Sequence, residues 1–101
     1  MTDKKNENDK SKEFYENLKA QLEDYTDWPA PYLFKFIVPT DKRKIQQILS
    51  FFEDIPNAKA KTRTSTKGQY TSVSIEAVIE SADVVIEKYE KVSVVEGLLS
   101  L

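Results

Sequence analysis

The sequence predicts an α+β sandwich: a four-stranded antiparallel sheet carrying two helices on one face, preceded by an extra N-terminal helix. Three observations predict it. First, the stretch from Arg63 to Ile75 places β-branched and aromatic residues on both sides of Lys67-Gly68, and Gly68 tolerates the positive φ of a tight turn, which is the pattern of a hairpin. Second, Ile45, Ile48, Leu49, Phe52 and Ile55 follow helical spacing, and Ala82, Val85, Ile86, Tyr89 and Val92 repeat that spacing further along the chain. Third, bounded apolar runs stand before the first of these helices (Tyr32 to Val38) and after the second (Ser93 to Leu101) and read as strands. The order β, α, β, β, α, β closes with right-handed crossovers as a ferredoxin-like sandwich. Strand order 4-1-3-2 puts the second and fourth strands at the edges.

Along the chain, residues 1–11 mix both charges with amides and offer nothing to bury, so a disordered tail is expected. Phe14, Leu18, Leu22 and Tyr25 then recur at spacings of four, four and three, which lines them along one stripe of a helix. The N-terminal helix and proline-rich connector are assigned to residues 12–27, and Trp28-Pro29-Ala30-Pro31 ends the helix, since each proline disfavours helix in the residue before it. The folded domain is expected over residues 28–101. Within it, Pro39 stops the first strand, Thr40 offers a helix cap with Asp41 in the first turn, Pro56-Asn57 closes that helix, and Ser81 offers the second cap.

With Lys67 and Gly68 as the loop, Thr62 faces Val73, Ala60 faces Ile75, Lys59 faces Glu76, Lys61 faces Ser74 and Arg63 faces Ser72. The helix-covered face then carries Phe34, Phe36, Val38, Ala58, Ala60, Val73 and Ile75. The open face receives Leu33, Lys35, Ile37, Lys59, Lys61, Arg63, Tyr70, Ser72, Ser74 and Glu76. The last strand is apolar on both faces, with Val94 and Leu98 on one and Val95, Leu99 and Leu101 on the other, so half of the open face is apolar, and a bare apolar patch asks for a cover. The N-terminal helix, through Phe14, Leu18 and Leu22, is the expected cover; a homodimer through the sheet edge or open face is the rival.

Composition excludes more chemistry than it suggests. A chain of 101 residues with 40% hydrophobic content suits one domain with one core. A formal charge of −2 speaks against a general polyanion binder, and the absence of cysteine and histidine removes disulfides, thiolate nucleophiles, imidazole bases and the usual zinc sites. No apolar run approaches the roughly 20 residues of a membrane span, and the start is too charged for a signal peptide, so a cytoplasmic address is expected. Thr64-x-x-Lys67 imitates a hydroxyl nucleophile with a lysine partner, but a hairpin does not aim both groups as a helix does. No catalytic residue, metal or cofactor is assigned. Lys59, Lys61 and Arg63 form a basic row on an edge strand, which resists pairing with other chains or docks an acidic partner. Ser65-Thr66-Lys67-Gly68 suits an anion, yet no helix N-terminus follows it as in a P-loop.

Two motifs, Trp28-Pro29-x-Pro31-Tyr32-x-Phe34-Lys35 and Arg63-x-Ser65-x-Lys67-Gly68-x-Tyr70-x-Ser72-Val73-Ser74-Ile75, resemble those of the YbeD-like bacterial proteins of unknown function. The similarity covers roughly residues 28–101. It implies a ferredoxin-like fold similar to the ACT-type regulatory domains that sense amino acids, and with it a regulatory role without catalytic activity. Carried over by residue, it implies a shared binding surface of Lys35, Arg63, Ser65, Lys67, Gly68, Tyr70 and Ser72. ACT domains often bind an effector near a glycine after the first strand, where this chain has Pro39-Thr40-Asp41. The expected partner is therefore a protein, with a small-molecule effector as the alternative. Nucleic acid ranks third: RNA-recognition motifs share the topology, but Gln69 and Thr71 stand where their stacking rings belong.

Overall fold

In the computed structural model, which describes the backbone of residues 2–99 and the side chains of residues 12–99, six elements follow one another. They are α1 (Thr2–Tyr25), β1 (Ala30–Pro39), α2 (Lys42–Ser50), β2 (Lys59–Thr64), β3 (Tyr70–Ile79) and α3 (Ala82–Val92). The first ten residues of α1 cover the stretch expected as a disordered tail. β3 lies between the other two strands in an antiparallel sheet of order β1-β3-β2. The hairpin has the register its two-faced pattern requires, with Thr62 opposite Val73 and Arg63 opposite Ser72. Its loop is longer than the two residues expected. The Ser65 N–H donates to the Tyr70 carbonyl at 2.8 Å, so Thr66 to Gln69 form the turn, with Gly68 at φ +75°.

Among the described residues the sheet has three strands, not the four of the expected sandwich. Residues 93–98, expected as part of a last strand, turn instead. The Val94 and Val95 amides donate back to Lys91 and Val92, and the Leu98 amide donates to Val95. Gly97 sits at φ +81° against the Pro39 ring, where an added Cβ would lie 3.0 Å from Pro39 Cγ. The chain thus needs these residues to leave α3 and return to the sheet. Among the described residues only Leu99 reaches it, in an isolated bridge to Ile37 whose N–H···O distance is 2.7 Å; the last two residues of the expected strand, 100–101, lie outside the described residues. β1, expected in the interior, is consequently an edge.

One face of the sheet is the core. Phe34, Phe36 and Val38 of β1 and Val73, Ile75, Ala77 and Ile79 of β3 are buried beneath Ile48, Phe52, Val85 and Val92. The Phe52 and Tyr89 rings meet Phe34 edge-on at centroid distances of 4.9 and 5.5 Å, a favoured arrangement for the aromatic quadrupole. The Tyr89 hydroxyl hydrogen-bonds the Tyr32 hydroxyl at 2.8 Å, and burial together with that bond raises the Tyr89 pKa, keeping the phenol neutral. Ala58 is half-buried, but Ala60, expected under the helices, is exposed, because the helix layer stops short of β2.

The helix caps are partly as expected. Ser81 caps α3, its Oγ accepting from the Val84 amide. At α2 the cap is Asp41, whose Oδ1 accepts from the Arg43 amide at 2.8 Å, and not Thr40. α1 does not cover the open sheet face. It packs beside α3, with Lys19 2.7 Å from Asp83 and Leu22 against the core, while Phe14 is exposed. The expected cover is therefore absent, and Leu33 stays 57% exposed.

Within the helix layer lies a fully buried lysine. The Lys88 ammonium donates to the Phe51 carbonyl at 2.7 Å and to Asp54 Oδ1 at 2.6 Å, and it stands 5.6 Å from the Phe52 ring centroid. It ties α3 to the turn that follows α2. The partners are unequal: Lys88 has no exposed side-chain surface, whereas the Asp54 side chain is 64% exposed. Removing the carboxylate leaves a buried charge with one neutral acceptor; removing the ammonium leaves a carboxylate that water solvates. Asp54→Ala is expected to cost about 2–3 kcal/mol and Lys88→Met only about 1 kcal/mol in chemical denaturation. The reverse order would contradict this assignment. The hydrogen bond from Lys88 lowers the Asp54 pKa from its ordinary 3.8. Its contribution is complete above about pH 4 and is lost as pH falls through the lowered value, so Asp54→Ala should remove that component of acid unfolding.

Candidate functional site

Side chains alternate along a strand, so the registers on both sides of β3 determine which residues share a row on the open face. One row runs Leu33, Glu76, Lys59; the next runs Lys35, Ser74, Lys61; the third runs Ile37, Ser72, Arg63. Beyond the third, Tyr70 lies opposite Pro39 and closes the end of the face. Four cations, Lys35, Lys59, Lys61 and Arg63, therefore surround two serine hydroxyls, with Glu76 as the acid among them. All four cations are exposed, and among the described residues none is in an ion pair. Lys59, Lys61 and Arg63 stand at alternate positions of one strand, about 7 Å apart and inside the screening length of about 8 Å, so they repel one another. An anion on this face relieves that repulsion.

At the hairpin end the face deepens into an open groove of about 440 Å³ lined by Ile37, Arg63, Thr64, Ser65, Thr66, Tyr70 and Ser72. Its lining combines hydroxyls, the Arg63 side chain, the Tyr70 phenol ring and the apolar Ile37. Of the residues expected to bind, Arg63, Ser65, Tyr70 and Ser72 come together here. Lys35 stands on β1 in the adjoining row, opposite Ser74. Lys67 and Gly68 belong to the tip of the turn and do not line the groove. Gly68 has a conformational task, since its amide donates to the Ser65 carbonyl at 2.8 Å from a positive φ. Ser65 is partly committed to the turn as well, its Oγ accepting from the Tyr70 amide at 3.2 Å.

A chain of hydroxyls on the opposite face supports this end of the sheet, and the sequence reading missed it. Thr71, buried on β3, hydrogen-bonds the Thr40 hydroxyl at 2.9 Å and the Thr64 hydroxyl at 3.1 Å. The three side chains tie β2, β3 and the start of the α2 connection where the apolar core ends. The signal was a threonine at the buried phase of an otherwise apolar strand. Thr64 is thus a structural hydroxyl bonded to Thr71, with no basic partner brought to it in the manner of a nucleophile. Among the described residues no cluster of acids suits a metal ion, and no helix is long and apolar enough to cross a membrane.

Comparison with known proteins returns one family. The family model described as "Protein of unknown function (DUF493)" matches residues 23–99, most of the chain and all three strands. The YbeD-like family read from the hairpin and proline motifs is this same family. No curated protein and no solved structure matches the chain.

If the threonine chain holds the hairpin end, Thr71→Val should cost about 1–2 kcal/mol, because two hydroxyls lose a partner. Amide hydrogen exchange should quicken at Ser65 and Gly68 more than at Ile75. Uniform exchange across the strand would show that the turn does not rely on Thr71.

Proposed function

Since the chain belongs to the DUF493 family, which assigns it no activity, we propose from the geometry that it is a non-catalytic regulatory domain whose open sheet face docks an acidic segment of a partner protein. The observation that carries this reading is the set of four unpaired cations around Ser72 and Ser74. Protection of an edge strand accounts for Lys59, Lys61 and Arg63, which stand on β2. Lys35 stands on the other edge strand, β1, and extends the positive field across β3 to the far side of the sheet. Exposed Leu33 and half-buried Ile37 beside these charges supply the apolar contact that a protein interface adds to a charged one.

A small anionic ligand is the second reading, favoured by the groove at Arg63, Tyr70 and Ser72, whose volume falls in the usual range for ligand sites. Nucleic acid is supported less well: Tyr70 is the one aromatic ring on the open face among the described residues, and base stacking along a strand uses several.

Charge reversal separates these readings. Lys61→Glu combined with Arg63→Glu should leave thermal stability nearly unchanged, as both side chains are exposed. It should abolish co-purification of partner proteins from a cell extract and weaken binding of poly-glutamate about tenfold or more. Undiminished capture by the double variant would remove the face from consideration. Thermal stabilisation of the unaltered protein by one class of anionic metabolite would support the second reading.

A further inference from the structure

The two edges of the sheet differ in what they offer to another strand. On β1 the Ile37 carbonyl accepts from Leu99, so the backbone groups of Ile37, and by alternation those of Pro31, Leu33, Lys35 and Pro39, point outward. Two of these five positions are prolines without an N–H, and a third already holds Leu99. That edge is largely closed. On β2 the Ser65 amide bonds the Tyr70 carbonyl, so Arg63, Lys61 and Lys59 direct their backbone groups inward to β3. Ala60, Thr62 and Thr64 direct theirs outward. Every residue of β2 is exposed, no proline interrupts it, and among the described residues nothing bonds these outward groups.

We propose that the acidic partner segment binds as an added antiparallel strand on the outer edge of β2, with acids at alternate positions beside Lys59, Lys61 and Arg63. The proposal rests on the acidic-partner reading and specifies how the segment is held. A strand in this position shares the pleat of β2, so its alternate side chains fall on the open face next to the three cations. The intervening side chains fall beside Ala60, Thr62 and Thr64, which are small and ask for small partners. A second copy of this chain is the wrong occupant. Antiparallel pairing of β2 with itself would set two rows of Lys59, Lys61 and Arg63 side by side on one face, and directly opposed like charges are destabilising. A segment with glutamate or aspartate at every second position is the complement.

The geometry also states which peptide amides matter. In antiparallel pairing, the residues opposite Ala60, Thr62 and Thr64 exchange both backbone hydrogen bonds with β2. Those residues carry the small side chains, while the amides of the acidic residues point away to solvent. A capped peptide alternating glutamate and threonine is therefore the probe, read by fluorescence anisotropy against the full chain. N-methylation of two central threonines should weaken binding about tenfold or more, because two interstrand hydrogen bonds are lost. N-methylation of two central glutamates, which carries the same local stiffening and the same charge, should leave binding within about twofold. Thr62→Pro, which removes an outward N–H from an edge strand that tolerates proline, should reproduce the loss from the protein side. Equal binding of both methylated peptides would overturn strand addition. If the alternating peptide fails to bind while poly-glutamate still binds in a manner abolished by the Lys61/Arg63 reversal, strand addition falls and the acidic-partner reading stands. If neither binds, both fall.

Discussion

The structure depends on the strict two-residue alternation of β3. Thr71, Val73, Ile75, Ala77 and Ile79 point to one side and are buried; Tyr70, Ser72, Ser74, Glu76 and Val78 point to the other. Because β3 is paired along both of its edges, this single alternation also assigns the faces of β1 and β2. A shift of one residue would turn Phe34 and Phe36 out to solvent and bring Lys35 into the core. The penalty is set by burying an unpaired charge and exposing two large rings, several kcal/mol in total. The same constraint that builds the core therefore aligns the cations of β1 and β2 in rows, and the candidate face follows from packing on its reverse side.

The helix layer is held to that core by apolar burial and by one polar exception. Lys88 occupies an inward position of α3, between Val85 and Val92, where the spacing calls for an apolar residue. Its methylene stem packs in the layer, and its ammonium finds a carbonyl and a carboxylate at the turn after α2. Asp54 keeps much of its hydration, which limits the desolvation cost of the pair. The contact joins segments far apart in the chain and specifies how α3 sits relative to α2, an orientation that non-directional apolar burial leaves loose.

The hairpin register and the buried face of β1 were legible because both are written in period two with large, unambiguous residues. The paired helical stretches were legible for the equivalent reason at period 3.6, although α2 ends at Ser50, so Phe52 and Ile55 lie in the turns beyond it and Pro56-Asn57 does not close the helix. The fourth strand was not. Val94, Val95, Leu98 and Leu99 are apolar on alternate and adjacent positions alike, so the run contains no phase that separates a strand from a turn with buried anchors. Gly97 was read inside a strand, although its positive φ marks the turn. The placement of α1 was equally hidden: an apolar stripe specifies a face to bury but not which surface receives it, and here α3 does. Of the groove lining, Arg63, Ser65, Tyr70 and Ser72 are also singled out by the sequence motifs, whereas the bond between Thr40 and Thr71 escaped, because a threonine at the buried phase of β3 does not say which hydroxyl it meets.

Charge and backbone contribute differently to recognition on this face. Exposed ion pairs are each worth about 0.2–1 kcal/mol, so four of them supply a few kcal/mol at most, which by itself corresponds to dissociation constants near the millimolar range. Such a field selects acidic partners, repels basic ones and speeds encounter, but it does not hold a segment in register. The free groups of Ala60, Thr62 and Thr64 supply what the field lacks, directional bonds at a fixed spacing. The cations that keep two copies of β2 apart thus also determine which foreign strand can approach it. An edge closed by prolines and Leu99 on one side and guarded only by charge on the other is an asymmetric sheet, and the asymmetry directs strand pairing to β2.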